Sequence, residues 1–366
     1  MRKLILVAGA RPNFMKIAPI LRIARSTHFR EKIQVVLVHT GQHYDYEMSQ
    51  IFFDELEIPR PAYFLGVGSA SHAVQTARIM MAFEEACLVE NPEIVVVVGD
   101  VNSTVAAALV AKKLEIKVAH VEAGLRSHDS TMPEEINRRV TDVLSDFLFV
   151  SERSGVLNLK NEGKSDNAIH FVGNVMIDTL YFQLSKLSQR NTATTQVSRP
   201  PGPFAVLTLH RPSNVDREDK LKEIFSALAV IARDLPIHFP VHPRTHERLK
   251  QNNLLTEISK QALILQPPLS YLDFLRLWKD AALVLTDSGG IQEETTALGI
   301  PCITIRENTE RPITVHEGTN TLAGTSSEGI LKAYENFKSS GGKKGKIPSL
   351  WDGKAAERIV AVLAIT

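Results

Sequence analysis

The run Ile94–Val98 (IVVVV) restricts the fold more than any other stretch of the chain. Side chains alternate between the two faces of a strand, so a strand with one wet face alternates apolar and polar residues. A run that is apolar throughout belongs to a strand covered on both sides, the situation of a parallel sheet between helices. Further strand runs fall at Lys3–Val7, Gln34–Val38, Val118–Val121 and Phe147–Val150. Helical patterns between and after them include Ala73–Val89, Val105–Leu114, Ile136–Ser145 and Gly173–Leu184, with Met80 and Met81 expected as core filler. Strand and helix in alternation imply a Rossmann-like α/β domain. No GxGxxG follows the first strand, so a dinucleotide fingerprint is missing.

From Ser185 to Pro203 the composition shifts to Ser, Gln, Thr and Pro, which marks a linker. A second alternation follows, with strands at Phe204–Leu209, Ile237–Val241, Leu263–Leu265, Leu283–Leu285 and Pro301–Ile305 and helices at Leu221–Ala232 and Tyr271–Lys279. The chain has 366 residues, above the roughly 250–300 at which one core stops growing. The expectation is two Rossmann-like domains facing across a cleft: residues 1–184, a linker at 185–203, and residues 204–354. The amphipathic closing helix in 355–366 is expected to pack back on the first domain.

Net charge of +1 leaves no basic surface for nucleic acid or an acidic membrane. Cys87 and Cys302 are the only cysteines, no disulfide framework, which suits a reducing cytoplasm. The opening MRKLILVAGA imitates a signal peptide, but its apolar core is short and Arg11 and Lys16 follow, so it reads as a first strand. No apolar run reaches the ~18 residues of a membrane span. Without secretion, the glycosylation pattern at Asn102–Thr104 is a coincidence.

Ligands of such folds bind beyond the carboxyl ends of strands, so residues there are the candidates. ALVLTDSGGIQEETTALG, Ala282–Gly299, runs from a strand through Ser288, Gly289 and Gly290 onto a helix read as Ile291–Leu298. Glycines that allow φ > 0 and a helix start with free N–H groups make an anion site; an ordinary turn capped by Ser288 is the competing reading. Glu293 and Glu294 follow, placed in the first helical turn. In the first half, Gly9–Asn13 precedes a helix whose first turn is read as carrying Lys16, and Arg11 and Lys16 either pair with phosphates or form a solvated turn. Asp100 ends the IVVVV strand, where Asn102 or Ser103 is a candidate cap. Glu122 ends the next strand, and Glu134 and Glu135 open a helix after Pro133. His210 follows the strand AVLTL, as a general acid/base candidate or a structural histidine. His39, His43 and Tyr44 read as structural or substrate-adjacent. His238, His242 and His246 recur at intervals of four, but Pro240 and Pro243 prevent a continuous helix and no metal site is assigned. The SSGGKKGK segment lacks P-loop spacing and reads as an exposed loop.

GARPNFMKIAPI, TGQHY, GDVNST, HVEAGLRS, MPEEINRR, LTLHRPSN, PVHPRT, TDSGGIQEE and TERPIT occur in this order. Together they resemble the UDP-N-acetylglucosamine 2-epimerases, from about Arg2 through Thr325 and again at the closing helix. The resemblance implies the two-domain glycosyltransferase-B architecture and inversion at C2 of UDP-GlcNAc to give UDP-ManNAc. It implies departure of UDP with loss of the C2 proton, 2-acetamidoglucal as intermediate, and re-addition with protonation from the other face. By match of motif, Asp100, Glu122, Glu134 and His210 form the acid/base set, the face served by each carboxylate being left open. Arg11, Lys16, Ser288, Gly289, Gly290, Glu294 and Arg311 hold UDP, Glu294 through ribose hydroxyls. No metal, NAD or other cofactor is implied; the expected assembly is a homodimer.

Two departures stand out. Tyr44-Asp45-Tyr46 follows TGQH where many bacterial members have a charged or amide-rich run serving a regulatory UDP-GlcNAc site, and HRPSN replaces an HRREN-like form, a change that accompanies a modified substrate such as a diacetamido uronic acid. The rivals are a hydrolysing 2-epimerase, a glycosyltransferase of the same architecture, and a non-catalytic nucleotide-sugar sensor. The last has no reason to gather Asp100, Glu122, Glu134 and His210 at strand ends.

Overall fold

The computed structural model describes residues 1–41, 53–189, 200–255 and 263–365, the Arg11 side chain excepted. His43, Tyr44, Asp45, Tyr46 and residues 190–199 of the expected linker lie outside the described residues. Two α/β units emerge, Met1–Phe182 with Ser349–Thr366, and Gln183–Pro348.

The first unit holds seven parallel strands: β1 (Arg2–Ala8), β2 (Ile33–His39), β3 (Tyr63–Phe64), β4 (Ile94–Val98), β5 (Lys117–Ala123), β6 (Phe147–Val150) and β7 (Ile169–Phe171). Their order is β3-β2-β1-β4-β5-β6-β7. The winding therefore reverses between β1 and β4, where an open α/β sheet leaves a crevice at its carboxyl edge. Ile5, Val7, Val95, Val97 and Val118 form the buried centre with Phe83, Cys87 and the alanines of the helix Asn102–Lys113. Burying both faces of β4 is why IVVVV carries no polar residue.

The second unit repeats the plan with β8 (Ala205–Thr208), β9 (Ile237–Pro240), β10 (Leu263–Gln266), β11 (Leu283–Thr286), β12 (Cys302–Thr304) and β13 (Asn320–Leu322), ordered β10-β9-β8-β11-β12-β13. Its reversal lies between β8 and β11, so HRPSN and TDSGG leave adjacent strands at that point.

Several expectations change. Met81 on the helix His72–Glu90 is 71% exposed, so only Met80 packs on the core. Neither Asn102 nor Ser103 caps its helix; the N-cap position is Val101, and Asn102 is buried. The helix Val175–Gln189 continues past Leu184 into the stretch read as linker. His238 lies in β9, while His242 accepts a hydrogen bond from Arg244 N at 3.3 Å and starts the helix Pro243–Gln251 that carries His246. The closing helix Ala355–Ile365 packs beside Arg11–Ala24. Asp178 accepts hydrogen bonds from Ala355 N at 3.1 Å and Ala356 N at 2.7 Å, satisfying two N–H groups of its first turn.

Candidate active site

At the reversal of the first unit, Asn13 binds the end of β1 to the end of β4. Its Oδ1 accepts from Gly9 N and Ala10 N, both at 3.0 Å, and its Nδ2 donates to Val98 O at 3.1 Å. The helix begins at Arg11, so Lys16 stands in its second turn rather than its first. The Lys16 ammonium is buried in an ion pair with Glu122. It also passes Gly99 so closely that a Cβ there, at φ +66°, would lie 2.8 Å from Nζ.

Glu122 is the extra residue of a β-bulge. Val121 pairs with Phe149 and Ala123 with Val150, leaving Glu122 between them at φ +75°. A non-glycine residue in this region carries about 1–3 kcal/mol of strain, which the surroundings must offset, and such residues cluster at functional sites. Asp100 accepts a 2.5 Å bond from Arg138 Nη2, while Arg138 Nη1 donates to Glu135 at 2.7 Å. Asn137 Nδ2 donates to Asp100 O at 2.9 Å. Glu134 is half-buried in the first turn of the same helix, Pro133–Leu144, and makes no side-chain hydrogen bond among the described residues. Its neighbour Glu135 is buried. Burial favours its neutral form, but hydrogen bonds from Ser127 and the Arg138 charge prevail and hold it below the ordinary glutamate range.

In the second unit the helix after β11 spans Gly289–Leu298, starting earlier than its apolar pattern suggests. Gly289 and Gly290 are therefore helical, and neither has positive φ. The small size of Gly289 instead leaves room beside Glu310: a Cβ there would stand 3.2 Å from Glu310 Oε1. Ser288 occupies the N-cap position without making a side-chain cap, so its hydroxyl is not consumed by the helix. Glu293 and Glu294 fall beyond the first turn and are not simple partners of the helix dipole. Glu293 pairs with Arg311 Nε at 2.7 Å. Thr309 donates to Gln292 Oε1 at 2.7 Å and accepts from Arg311 N at 3.0 Å, fixing the loop that presents Arg311.

Glu294 is buried with one oxygen bonded by Tyr271 OH at 2.7 Å and the other, Oε2, without a hydrogen-bond partner among the described residues. Burial, against the Tyr271 bond and with help from Glu293, pushes its carboxyl up to about 8. Glu310 sits among Arg306 at 2.8 Å, Arg211 at 3.2 Å and Arg311; these charges overcome burial and keep it ionised.

His210 is exposed, but its orientation is set from below. Asp287, fully buried, lies 3.0 Å from His210 Nδ1 and accepts from His210 N at 3.0 Å and Arg211 N at 2.8 Å. Burial opposes the Asp287 charge, and His210 with these backbone bonds outweighs it, lowering the carboxyl below the usual range. Nε2 is thus the outward nitrogen of a histidine held by a carboxylate, the geometry that orients a general acid or base. Sequence reasoning did not single out Asp287, Arg138 or Tyr271 as partners; the signal for Asp287 was its place two residues before the glycines at the end of an apolar run.

The candidates thus form two sets at strand ends. Lys16, Glu122 and Asp100 surround the first reversal with Glu134 in a neighbouring helix, and Arg11 begins the helix after β1. His210, Ser288, Gly289, Gly290, Glu294 and Arg311 surround the second.

Residues 25–364 match the family model described as UDP-N-acetylglucosamine 2-epimerase. The chain belongs to the UDP-N-acetylglucosamine 2-epimerase family. Among solved relatives, the Methanocaldococcus jannaschii UDP-GlcNAc 2-epimerase in complex with UDP-GlcNAc and UDP is 43% identical, with 100% of each chain covered and a TM-score of 0.89. The Pseudomonas aeruginosa UDP-2,3-diacetamido-2,3-dideoxy-D-glucuronate 2-epimerase is 39% identical over 99% of each chain. A sucrose-phosphate synthase from Thermosynechococcus elongatus, 13% identical and covering 99% and 94% of the two chains at a TM-score of 0.60, shares the fold. Like other 2-epimerases of this family, the protein is a two-unit parallel-sheet enzyme of glycosyltransferase-B architecture.

Proposed function

We propose that this family member interconverts UDP-GlcNAc and UDP-ManNAc without net hydrolysis. The observation that carries the reading is the placement of Glu122, strained on its bulge and paired with Lys16, beside Asp100 at one switch point. A protein that only binds nucleotide sugars has no use for a buried glutamate and a half-buried aspartate held this way.

The C2 proton is barely acidic in the ground state. Its removal therefore accompanies cleavage of the C1–O bond, whose electron pair leaves with UDP as C1=C2 forms. Re-addition reverses both changes: a UDP oxygen bonds C1 and a proton arrives at C2 from the opposite face. Asp100, Glu122, Glu134 and His210 form the acid/base set. Arg11, Lys16, Ser288, Gly289, Gly290 and Arg311 receive the diphosphate, with Glu294 on ribose hydroxyls.

Proton NMR with UDP-GlcNAc in D₂O tests this. UDP-ManNAc carrying deuterium at C2 is the expected product. Free ManNAc with equivalent UDP would assign the hydrolysing reaction instead. The 39% identity to the diacetamido-glucuronate epimerase, with HRPSN in place of the HRREN-like form, favours a second substrate reading, a UDP-2,3-diacetamido uronic acid. Inertness with UDP-GlcNAc and turnover of that sugar would select it. We place the reaction in the cytoplasm, where the two buried free thiols, Cys87 and Cys302, stay reduced, and propose a homodimer as the working assembly.

A further inference from the structure

His120 lies in the middle of β5 with no exposed surface, so it cannot touch a substrate. Both ring nitrogens nevertheless have close partners. Nε2 is 2.8 Å from Gly99 O, and Nδ1 is 2.7 Å from Asp142 Oδ1. A carbonyl oxygen only accepts, so Nε2 carries hydrogen. Asp142 Oδ2 accepts from Gly124 N at 3.0 Å and lies 2.8 Å from Arg126 Nη2. The Gly124 bond and the Arg126 ion pair on Oδ2 mark Asp142 as a carboxylate acceptor, so its Oδ1 takes a hydrogen from Nδ1.

The two residues bonded at the ends of this pair are informative. Gly99 directly precedes Asp100, and Gly124 follows Glu122 by two positions. Gly99 N also donates to Val121 O at 3.1 Å, so both sides of that residue are fastened to β5. Gly124, at φ +80°, packs so tightly on Gly155 that a Cβ would lie 2.4 Å from its carbonyl oxygen. Glycines at both positions accept the tight backbone, and the His120–Asp142 pair fixes where it goes.

We propose that His120 is a positioning residue which, as a double donor, couples the backbone carrying Asp100 to the bulge carrying Glu122. The proposal rests on the acid/base roles given to those two residues. The charged groups facing the pair are Arg126, Glu162, which binds Arg126 at 2.8 and 2.6 Å, and Lys164, which senses Asp142. Lys16 and Glu122 lie on the other side of Gly99. Displacing a reacting group by ~1 Å costs up to ~10²-fold in rate, so a buried clamp one peptide from Asp100 has leverage on turnover.

Asn and Gln each reproduce one ring nitrogen. In His120→Gln the amide reaches the position of Nε2 and keeps the Gly99 bond; in His120→Asn it reaches the position of Nδ1 and keeps only Asp142. Each variant severs one end of the coupling, so the expected result is a kcat lower by about tenfold or more in both, with KM within about twofold. A wild-type kcat in either variant, or losses that follow their melting temperatures, would overturn the positioning role. Ring ¹⁵N NMR of the full-length wild-type protein at neutral pH supplies a readout independent of variant folding. Hydrogen on both His120 nitrogens is expected; a nitrogen without hydrogen refutes the double donor. Should wild type leave UDP-GlcNAc and the diacetamido sugar unchanged, the functional reading fails while the nitrogen spectrum still decides the protonation.

Discussion

At the scale of single residues, the two units use the same pair of groups in opposite ways. In the second, the aspartate is buried and the histidine exposed; in the first, both are buried and the histidine grips backbone. Asp287→Asn keeps the size but removes the charge that orients His210 and three backbone or side-chain donors. Turnover is expected to fall ~10²-fold or more, mostly in kcat, as for a histidine whose orienting carboxylate is neutralised. Near-normal steady-state rates would take Asp287 out of the mechanism. Glu294 makes a different prediction, because its oxygen Oε2 lacks a hydrogen-bond partner among the described residues and burial pushes its carboxyl up to about 8 against 4.5 when unfolded. Between these values the unfolded chain releases a proton that the folded chain retains, so stability falls as pH rises across that window and is flat above it. Glu294→Gln removes the slope: in denaturation midpoints taken from pH 5 to 8.5, the variant should gain on wild type with every step upward. A constant difference across the series would show that Glu294 ionises normally.

At the scale of elements, the strand ends were legible because two physical signals coincide there. Doubly buried strands read as largely apolar runs, interrupted here by His120 and Thr208, and a polar residue at the end of each, Asp100, Glu122 or His210, marks where the strand leaves the core. The partners were not legible, since Arg138, Asp142 and Tyr271 reach Asp100, His120 and Glu294 from other helices, and no local spacing encodes that approach. The helix at Gly289 reads as starting late in the sequence because glycine is a poor helix former and the apolar period begins only at Ile291. β3, β7 and β13, with two or three residues each, are too short to show any period. The closing helix illustrates how such long-range contacts act. Asp178 satisfies Ala355 N and Ala356 N, and Trp351 Nε1 donates to Ser151 O at 2.9 Å, so residues far apart in sequence complete one unit. Asp178→Ala leaves two buried N–H groups without an acceptor, and a loss of about 1–3 kcal/mol is expected in urea unfolding. Hydrogen exchange should quicken first in Ala355–Ile365; unaltered protection there would contradict the assigned cap.

At the scale of the whole molecule, the fold of the first unit leaves apolar surface uncovered. Val74, Met81 and Leu88 recur every seven residues on His72–Glu90, exposed by 43%, 71% and 66%. Ile136, Val140 and Val143 form a second exposed apolar row on Pro133–Leu144. Each of these helices packs against Asn102–Lys113, which is almost wholly buried, so the rows belong to one helical layer of the first unit. Monomers seldom leave such rows in water, and a net charge of +1 gives copies of the chain little long-range repulsion. The proposed homodimer would bury these rows, and their chemistry sets the experiment. Met81→Glu combined with Val143→Glu places charges in a desolvated interface while touching no buried core residue. Sedimentation equilibrium should show the wild type as a dimer at micromolar concentration and the double variant as a monomer with an unchanged far-ultraviolet spectrum. A wild type that stays monomeric over the whole range would remove the dimer. A double variant that stays dimeric would move the interface to another face, because two new carboxylates per subunit could not remain buried and unpaired without a penalty of several kcal/mol.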